Sequence, residues 1–394
     1  MPPLDGRRLH FVGIGGAGLS GYALLAHAWG ADVSGWDRYE TPYLANLPED
    51  IRVTISPEPD PPEGAEVVIS TAFAGSTPGK SRAEFLAELV SLQDSIVVAG
   101  AHGKTTTAAM IALVLDRLGR DPGFLIGADV PQLGGNARAG AGWLVVEGDE
   151  SDRTIELLRP KIAVVTNVDL DHHSEFASRS EVDGLFERWL AAAPQTVHGD
   201  TLEPYDGELN VPGEHNRRNA AAALAALELA GVSAREAWPV LREFRGAGRR
   251  LEEVGVAGDV RIVDDYAHHP AEIRATIAAL REQGNGRILA LFQPHLYSRT
   301  RYLAHETAAA LAGADVVAVT EIYPAREEAV EGVTGKLVVD ALAELRPGMA
   351  IAWTPRVEDG ARFLARRARP GDVVLTVGAG DVDRGADLVF AELG

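Results

Sequence analysis

Residues 95–107 read SIVVAGAHGKTTT, an apolar run that breaks at glycine and passes directly into a lysine and three threonines. The apolar run predicts a buried strand, and the apolar, Ala-rich residues 108–118 after it predict a helix. A strand that turns through glycine into a helix leaves unpaired backbone N–H groups at the helix start, where the helix dipole also favours an anion. Gly100 and Gly103 let the backbone cradle phosphates, Lys104 reaches the terminal ones, and the Thr105 hydroxyl is placed to ligate Mg2+. Ala101, His102 and Thr106 lie in the same loop and are expected to join it around a nucleotide's phosphates. Strict spacing of this loop type would need glycine at position 98, where Val98 stands, so the segment is a shortened relative of it.

Toward the N-terminus, residues 9–14 predict another short strand and GIGGAGLSG leads into a helical stretch over 21–28. Gly13, Gly15 and Gly18, with Gly16 and Ala17 between them, spell a dinucleotide fingerprint, and a second strand over 32–36 ends at Asp37. The glycines specify a diphosphate on a helix N-terminus without specifying what the diphosphate carries. Taken alone the loop favours NAD, and an NAD-dependent dehydrogenase or a catalytically silent UDP-sugar-binding protein are alternatives. Neither explains GKTTT. After the Pro-rich SPEPDPPEG at 56–64, a strand over 67–70 continues the alternating pattern to about residue 95.

Toward the C-terminus, strands are expected over 143–146 and 162–166. The first runs into VVEGDESD, which holds Glu147, Asp149, Glu150 and Asp152, and the second into TNVDLDHH, which holds Asp171, His172 and His173. Oxygen ligands suit Mg2+, although paired histidines more often signal zinc, and the phosphate loop in the same region decides for magnesium. PGEHNRRNAAAA places Asn216 and Asn219 three apart on one helix face, with His215 beside them, and an Ala-rich helix over 219–229 is expected to be the last of this domain. Further strands over 260–263, 288–292, 316–320 and 373–377 make a third α/β region. FQPHLYSRT puts His295, Tyr297 and Arg299 just past one of them, at the edge where such sheets bind ligands; an arginine there suits an amino-acid carboxylate.

The length of 394 residues and this order of elements predict an α/β protein of three domains, over 1–94, 95–245 and 246–394. Against 37 basic residues stand 57 acidic ones, a formal charge of -20 that argues against nucleic acid or an anionic membrane as partner. The chain has no cysteine, which removes disulfides, thiolate nucleophiles and zinc-thiolate sites. No basic start with apolar core opens it and no apolar run approaches membrane-spanning length, so a cytoplasmic enzyme without membrane insertion is expected.

GAHGKTTT resembles the nucleotide loop of the Mur ligases, and HFVGIGGAGLSG resembles the opening of their alanine-adding branch. Together with VVEGDESD, TNVDLDHH, HNRRN, FRGAGRRLE, DDYAHHP, FQPHLYSRT, GVTGK and the terminal GAGD, the resemblance runs through all three regions in family order. It implies a Rossmann-like UDP-binding domain, a P-loop-like ATPase centre and a Rossmann-like C-terminal domain. It implies an ATP- and Mg2+-dependent ligase that joins L-alanine to the carboxylate of UDP-N-acetylmuramic acid through an acyl phosphate, as a monomer or homodimer. Addition of another amino acid or of a recycled peptide is the near alternative.

The resemblance also assigns roles. Glu147 and His172 hold the metal; His215, Asn216 and Asn219 meet the adenine; Arg250 contacts phosphate and Asp265 the nucleotide. Their neighbours Arg249 and Asp264 remain alternatives. Tyr266, His268, His295 and Arg299 take the amino acid, with His268 or His269 accepting a proton. The chain departs from the family at Ala101, where threonine is usual, at Leu296, where a basic residue is frequent, and between 194 and 213, where members carry a longer, partly β insertion.

Overall fold

A computed structural model describes residues 2–170, 175–325 and 327–394. They form two compact units, one of Met1–Asp169, Ser180–Glu208 and Arg218–Phe244, the other of Leu170–Arg179, Leu209–Arg217 and Arg245–Gly394.

The first unit carries two sheets. In the N-terminal one, β1 (Arg8–Val12), β2 (Asp32–Asp37), β3 (Arg52–Ile55), β4 (Glu66–Ile69) and β5 (Lys80–Ser81) lie in the order β3-β2-β1-β4-β5, all parallel. The order reverses between β1 and β4, and a doubly wound sheet opens its ligand crevice at the carboxyl ends of such a pair. Helices α1 (Ala17–Ala28) and α2 (Arg82–Ser91) pack against it, with Phe85 of α2 edge-on to Phe11 of β1 at 5.4 Å. A reciprocal Ser81–Glu84 capping box fixes the start of α2. Helix α1 begins four residues earlier than its apolar pattern suggests, because Gly18 and Gly21 lie within it. Gly21 earns its place by packing: a Cβ there would stand 2.9 Å from Ala137 Cβ and 3.0 Å from Leu125 Cδ2 of the second sheet.

That sheet has the order β11-β10-β6-β9-β7-β8. Its strands are β6 (Ser95–Ala99), β7 (Gly123–Val130), β8 (Gly135–Arg138), β9 (Leu144–Glu147), β10 (Ile162–Val165) and β11 (Gln195–His198), and only β8 runs antiparallel to its neighbour. Strand β6 is central and buried along its whole length, as a continuous apolar run requires when both faces are covered. Helix α3 (Lys104–Arg117) leaves it through the glycine loop, starting at the lysine itself and not at residue 108. Helix α4 (Arg179–Ala191) is followed by β11, so the connection after residue 194 supplies the edge strand and is not a bare linker. The expected last helix begins at residue 214 as α5 (Glu214–Leu229), and α6 (Ala234–Arg242), started by a Ser233–Glu236 capping box, comes after it.

The sheet of the second unit is β12-β13-β17-β14-β15-β16. It is built from β12 (Glu252–Ala257), β13 (Val260–Asp265), β14 (Ile288–Phe292), β15 (Val316–Val319), β16 (Ala350–Trp353) and β17 (Val373–Val377), with β12 the one antiparallel member. Helices α7 (Pro270–Gln283), α8 (Tyr297–Leu311) and α9 (Lys336–Leu345) cover one face through Ile273, Leu280, Leu311 and Leu342. Helices α10 (Val357–Ala365) and α11 (Arg384–Leu393) cover the other through Val357, Leu364 and Val389. Each such aliphatic side chain contributes roughly 1.5–3 kcal/mol on burial. Among the described residues no helix is long and apolar enough to cross a membrane.

Candidate active site

The turn after β6 is shaped by two glycines with positive φ, Gly100 at 132° and Gly103 at 82°. A Cβ on Gly100 would lie 2.3 Å from Thr166 Oγ1 and one on Gly103 would lie 2.2 Å from Asn219 Oδ1, so close packing as well as conformation excludes a side chain. Ala101 and His102 donate their backbone N–H groups to the carbonyl and side-chain oxygens of Asn167, both at 3.0 Å. Asn167 Nδ2 and Thr166 Oγ1 donate in return to the His102 carbonyl, at 2.8 Å and 2.6 Å. Thr166 and Asn167 therefore brace the loop. The sequence reading gave them no role, although their place at the end of a strand adjacent to β6 is the signal that could have found them.

Past the loop, Lys104 Nζ donates to the Gly100 carbonyl at 2.7 Å and to both carboxylate oxygens of Glu150, at 3.1 Å and 3.0 Å. Burial opposes the charged lysine, but the combined field of Glu150, Asp149 and Glu147 outweighs it and holds the ammonium proton more tightly than in free lysine. For Glu150 burial dominates; with Asp149 adding repulsion, it pushes the carboxyl up to about 7 in spite of Lys104. Thr105 Oγ1 donates to both oxygens of Glu147 at 3.0 Å, and the Gly127 N–H reaches the same carboxylate at 2.7 Å. Two oxygen donors expected to hold a metal thus converge next to the phosphate loop, a set suited to a hard divalent cation. The third expected ligand, His172, lies outside the described residues. Thr106 is buried in the first turn of α3.

The N-terminal glycine loop is braced in the same manner. Gly13 has φ 88°, and a Cβ on it would meet Ser70 Oγ at 2.4 Å; that hydroxyl is buried without a partner among the described residues. The Gly15 N–H donates to Asp37 Oδ2 at 2.8 Å, while Asp37 Oδ1 accepts from the Arg38 N–H and Thr41 Oγ1 donates to the Gly15 carbonyl. Asp37 thus fixes the loop itself. Gly16 caps α1 and Ala17 opens it, whereas a Cβ on Gly18 would meet nothing within 4 Å.

In the second unit the neighbouring pairs separate by what they touch. Arg249 spends its guanidinium on Asp264 at 2.9 Å and on the carbonyls of Gly378 and Gly380 at 2.8 Å and 2.9 Å, a structural clamp on the terminal GAGD loop. Both guanidiniums stand against the Tyr266 ring, Arg249 at 5.2 Å and Arg250 at 5.1 Å from its centre, but the buried Nε of Arg250 has no partner among the described residues. Asp264 also accepts from Thr376 Oγ1 at 2.6 Å. Asp265 accepts from Leu251 N, Ala267 N and Thr276 Oγ1; burial pushes its carboxyl up to about 6 against the pull of Arg250 and these donors.

His269 caps α7 by accepting from the Ala271 N–H. His268 instead donates from Nδ1 to the Tyr266 carbonyl at 2.9 Å, which makes Nε2 the accepting atom of the neutral ring. Its ring lies edge-on to Tyr266 and to His295, both at 5.5 Å. Arg299, buried in the first turn of α8, donates from Nη1 to His295 Nδ1 at 3.1 Å. The four residues expected to take an amino acid therefore come together in one unit. Of the adenine set, Asn216 Nδ2 donates to the Pro212 carbonyl at 2.7 Å, and His215 is half-buried, the desolvation lowering its proton affinity. Asn219 packs on the phosphate loop through Gly103.

Comparison with known proteins follows the same three regions. Residues 8–93 match the family described as "Mur ligase family, catalytic domain", 98–186 the "Mur ligase middle domain" and 249–380 the "Mur ligase, glutamate ligase domain". A UDP-N-acetylmuramate–L-alanine ligase from Renibacterium salmoninarum is 39% identical, with 98% of this chain and 96% of the relative covered. One from Pelotomaculum thermopropionicum is 35% identical, with 97% of each covered. The solved UDP-N-acetylmuramate-alanine ligase of Thermotoga maritima has a TM-score of 0.79 at 27% identity, covering 97% of this chain and 98% of that one. With the phosphate loop, the metal-suited donors and all three domains matched over nearly the full length, the chain belongs to the Mur ligase family.

Proposed function

We propose that the chain is a ligase that uses ATP and Mg2+ to join L-alanine to the carboxylate of UDP-N-acetylmuramic acid, in the cytoplasm, as a monomer or homodimer. The observation that carries this is the convergence of Lys104, Thr105 and Glu147 at one loop, a phosphate-and-cation set for which hydride transfer has no use.

A carboxylate is a poor electrophile and an ammonium has no lone pair, so amide formation needs the carboxylate activated and the amine deprotonated. Gly100–Thr106 hold the ATP phosphates, and Lys104 exchanges Glu150 for them, offsetting the repulsion between two anions brought together. Thr105, Glu147 and His172 would hold Mg2+, which supplies charge neutralisation on the transferred phosphoryl group. The N–H groups of the Gly13–Gly18 loop take the UDP diphosphate, and Asp37 holds that loop in shape. The Asn216 and Asn219 faces with His215 take the adenine, and Arg250 and Asp265 complete the nucleotide contacts. Arg299 and His295 hold the alanine carboxylate beside Tyr266, and His268 accepts the amine proton at Nε2 as the amine attacks the acyl phosphate.

Phosphate release assayed over alanine, glycine, serine and a tripeptide tests the proposal. Release should require ATP, UDP-N-acetylmuramic acid and alanine together; release that prefers the tripeptide would assign the chain to a recycling ligase instead.

A further inference from the structure

Two motifs are absorbed by none of the steps above, GVTGK at 332–336 and the terminal GAGD at 378–381. Both converge on the segment that follows β15. Glu321 Oε1 accepts from the Gly335 N–H at 3.1 Å, so GVTGK closes the base of this segment. A Cβ on Gly380 would lie 2.6 Å from Tyr323 Cγ, so GAGD leaves out a side chain where the Tyr323 ring sits. The same ring stacks on His295, with centroids 6.0 Å apart and planes 15° apart.

The turn they bracket is strained. Leu296, between β14 and α8, has φ 67° and ψ 135°, a region where a branched side chain costs on the order of 1–3 kcal/mol unless its surroundings fix it. The fixing groups belong to the segment after β15: Tyr323 N donates to the Pro294 carbonyl at 2.8 Å and Leu296 N donates to the Tyr323 carbonyl at 3.0 Å. Two residues into α8, the Ser298 N–H donates to Glu327 Oε2 at 2.8 Å and the Ser298 hydroxyl donates to Glu327 Oε1. Tyr323 and Glu327 thus grip the turn on both sides, one through His295 and one through the first turn that carries Arg299.

We propose that Tyr323 and Glu327 are positioning residues for the amino-acid substrate, setting its affinity through His295 and Arg299 without touching ATP or the UDP-sugar. The proposal rests on the reading that His295 and Arg299 hold the amino-acid carboxylate. Without the tyrosine ring, His295 loses its stacking wall and the acceptor it offers to Arg299 is no longer held in place. Without the Glu327 carboxylate, Ser298 and the helix start lose their cap, and Arg299 moves with them.

The test is steady-state phosphate release with each substrate titrated in turn, for Tyr323→Ala, Tyr323→Phe, Glu327→Ala, Glu327→Gln and Arg299→Ala. Loss of an aromatic stack at this strength should raise the alanine KM by roughly tenfold in Tyr323→Ala, with recovery in Tyr323→Phe. Glu327→Ala should raise it similarly, with partial recovery in Glu327→Gln, which keeps one accepting oxygen. In all four, KM for ATP and for the UDP-sugar should stay within about twofold, a split that general loss of folding would not produce. If Arg299→Ala raises the alanine KM and the Tyr323 and Glu327 variants do not, or if they raise all three KM values together, the proposal falls while the amino-acid site stands. If Arg299→Ala leaves the alanine KM unchanged, the site assignment itself is overturned.

Discussion

Lys104 and Glu150 form a buried ion pair next to the phosphate loop, and each is perturbed by the other and by desolvation. Lys104→Ala should abolish phosphate release while leaving UDP-sugar affinity within a few-fold, since the diphosphate loop lies on a different sheet; near-normal turnover would contradict the phosphate role. Glu150 gives a pH signature of its own. Its pKa of about 7 in the folded chain lies above the ordinary 4.5, so its contribution to stability is complete below about pH 4.5 and is lost as pH rises through about 7. Glu150→Gln removes that dependence. The stability of the variant relative to wild type should therefore move in the variant's favour between pH 5 and pH 8, read as denaturation midpoints; parallel curves would show that Glu150 titrates normally.

At the scale of elements, two helices begin at glycine loops and owe their placement to side chains that are absent. Gly→Ala inside a helix ordinarily gains about 0.5–1 kcal/mol. Gly21→Ala in α1 should do the reverse, because the new methyl would stand 2.9 Å from Ala137 Cβ and overpacking of this kind costs roughly 1–3 kcal/mol. A net loss of about 1 kcal/mol in urea denaturation is expected, and a gain would show that α1 is free to shift on the second sheet. At the start of α3, Gly103→Ala meets two penalties, a positive φ and the Asn219 side chain at 2.2 Å. Its ATP affinity should fall more than its affinity for the UDP-sugar, as separate titrations would reveal.

For the whole molecule, ligand linkage separates the two uses of a glycine-rich diphosphate loop. Any ligand that binds only the folded chain stabilises it by mass action, by about 2.7 kcal/mol at a hundred times its Kd. UDP-N-acetylmuramic acid should raise the thermal midpoint and NAD should not. Asp37 accepts from the Gly15 and Arg38 N–H groups and so shapes the loop on which either diphosphate would sit. Stabilisation by NAD alone would overturn this assignment.

Elements with a strong local signal were legible from the residues. Strand β14 is a continuous apolar run, β6 is one after Ser95 and β17 is one apart from Thr376, and the structure ends each where the apolar run ends. The glycine loops declared themselves because close backbone approach to phosphate admits few other residues. The starts of α1 and α3 were misplaced, since glycine and threonine are poor helix formers whose positions here are set by packing on a neighbouring sheet and on the loop. Edge strands β11 and β12 escaped because their residues are half exposed and carry little periodicity. Within the site, residue types and spacing named Lys104 and Thr105, and the family resemblance pointed to the pairs Arg249/Arg250, Asp264/Asp265 and His268/His269. Tertiary structure showed what the members of those pairs touch: both arginines stand against the Tyr266 ring, but Arg249 is also bonded to Asp264 and the GAGD carbonyls, while His269 meets the start of α7 and His268 lies edge-on to His295. Tyr323 and Glu327 were invisible in sequence, and Thr166 and Asn167 were marked only by their place at a strand end, for the same reason: each acts through contacts with residues far away in the chain, and only the fold brings those contacts about.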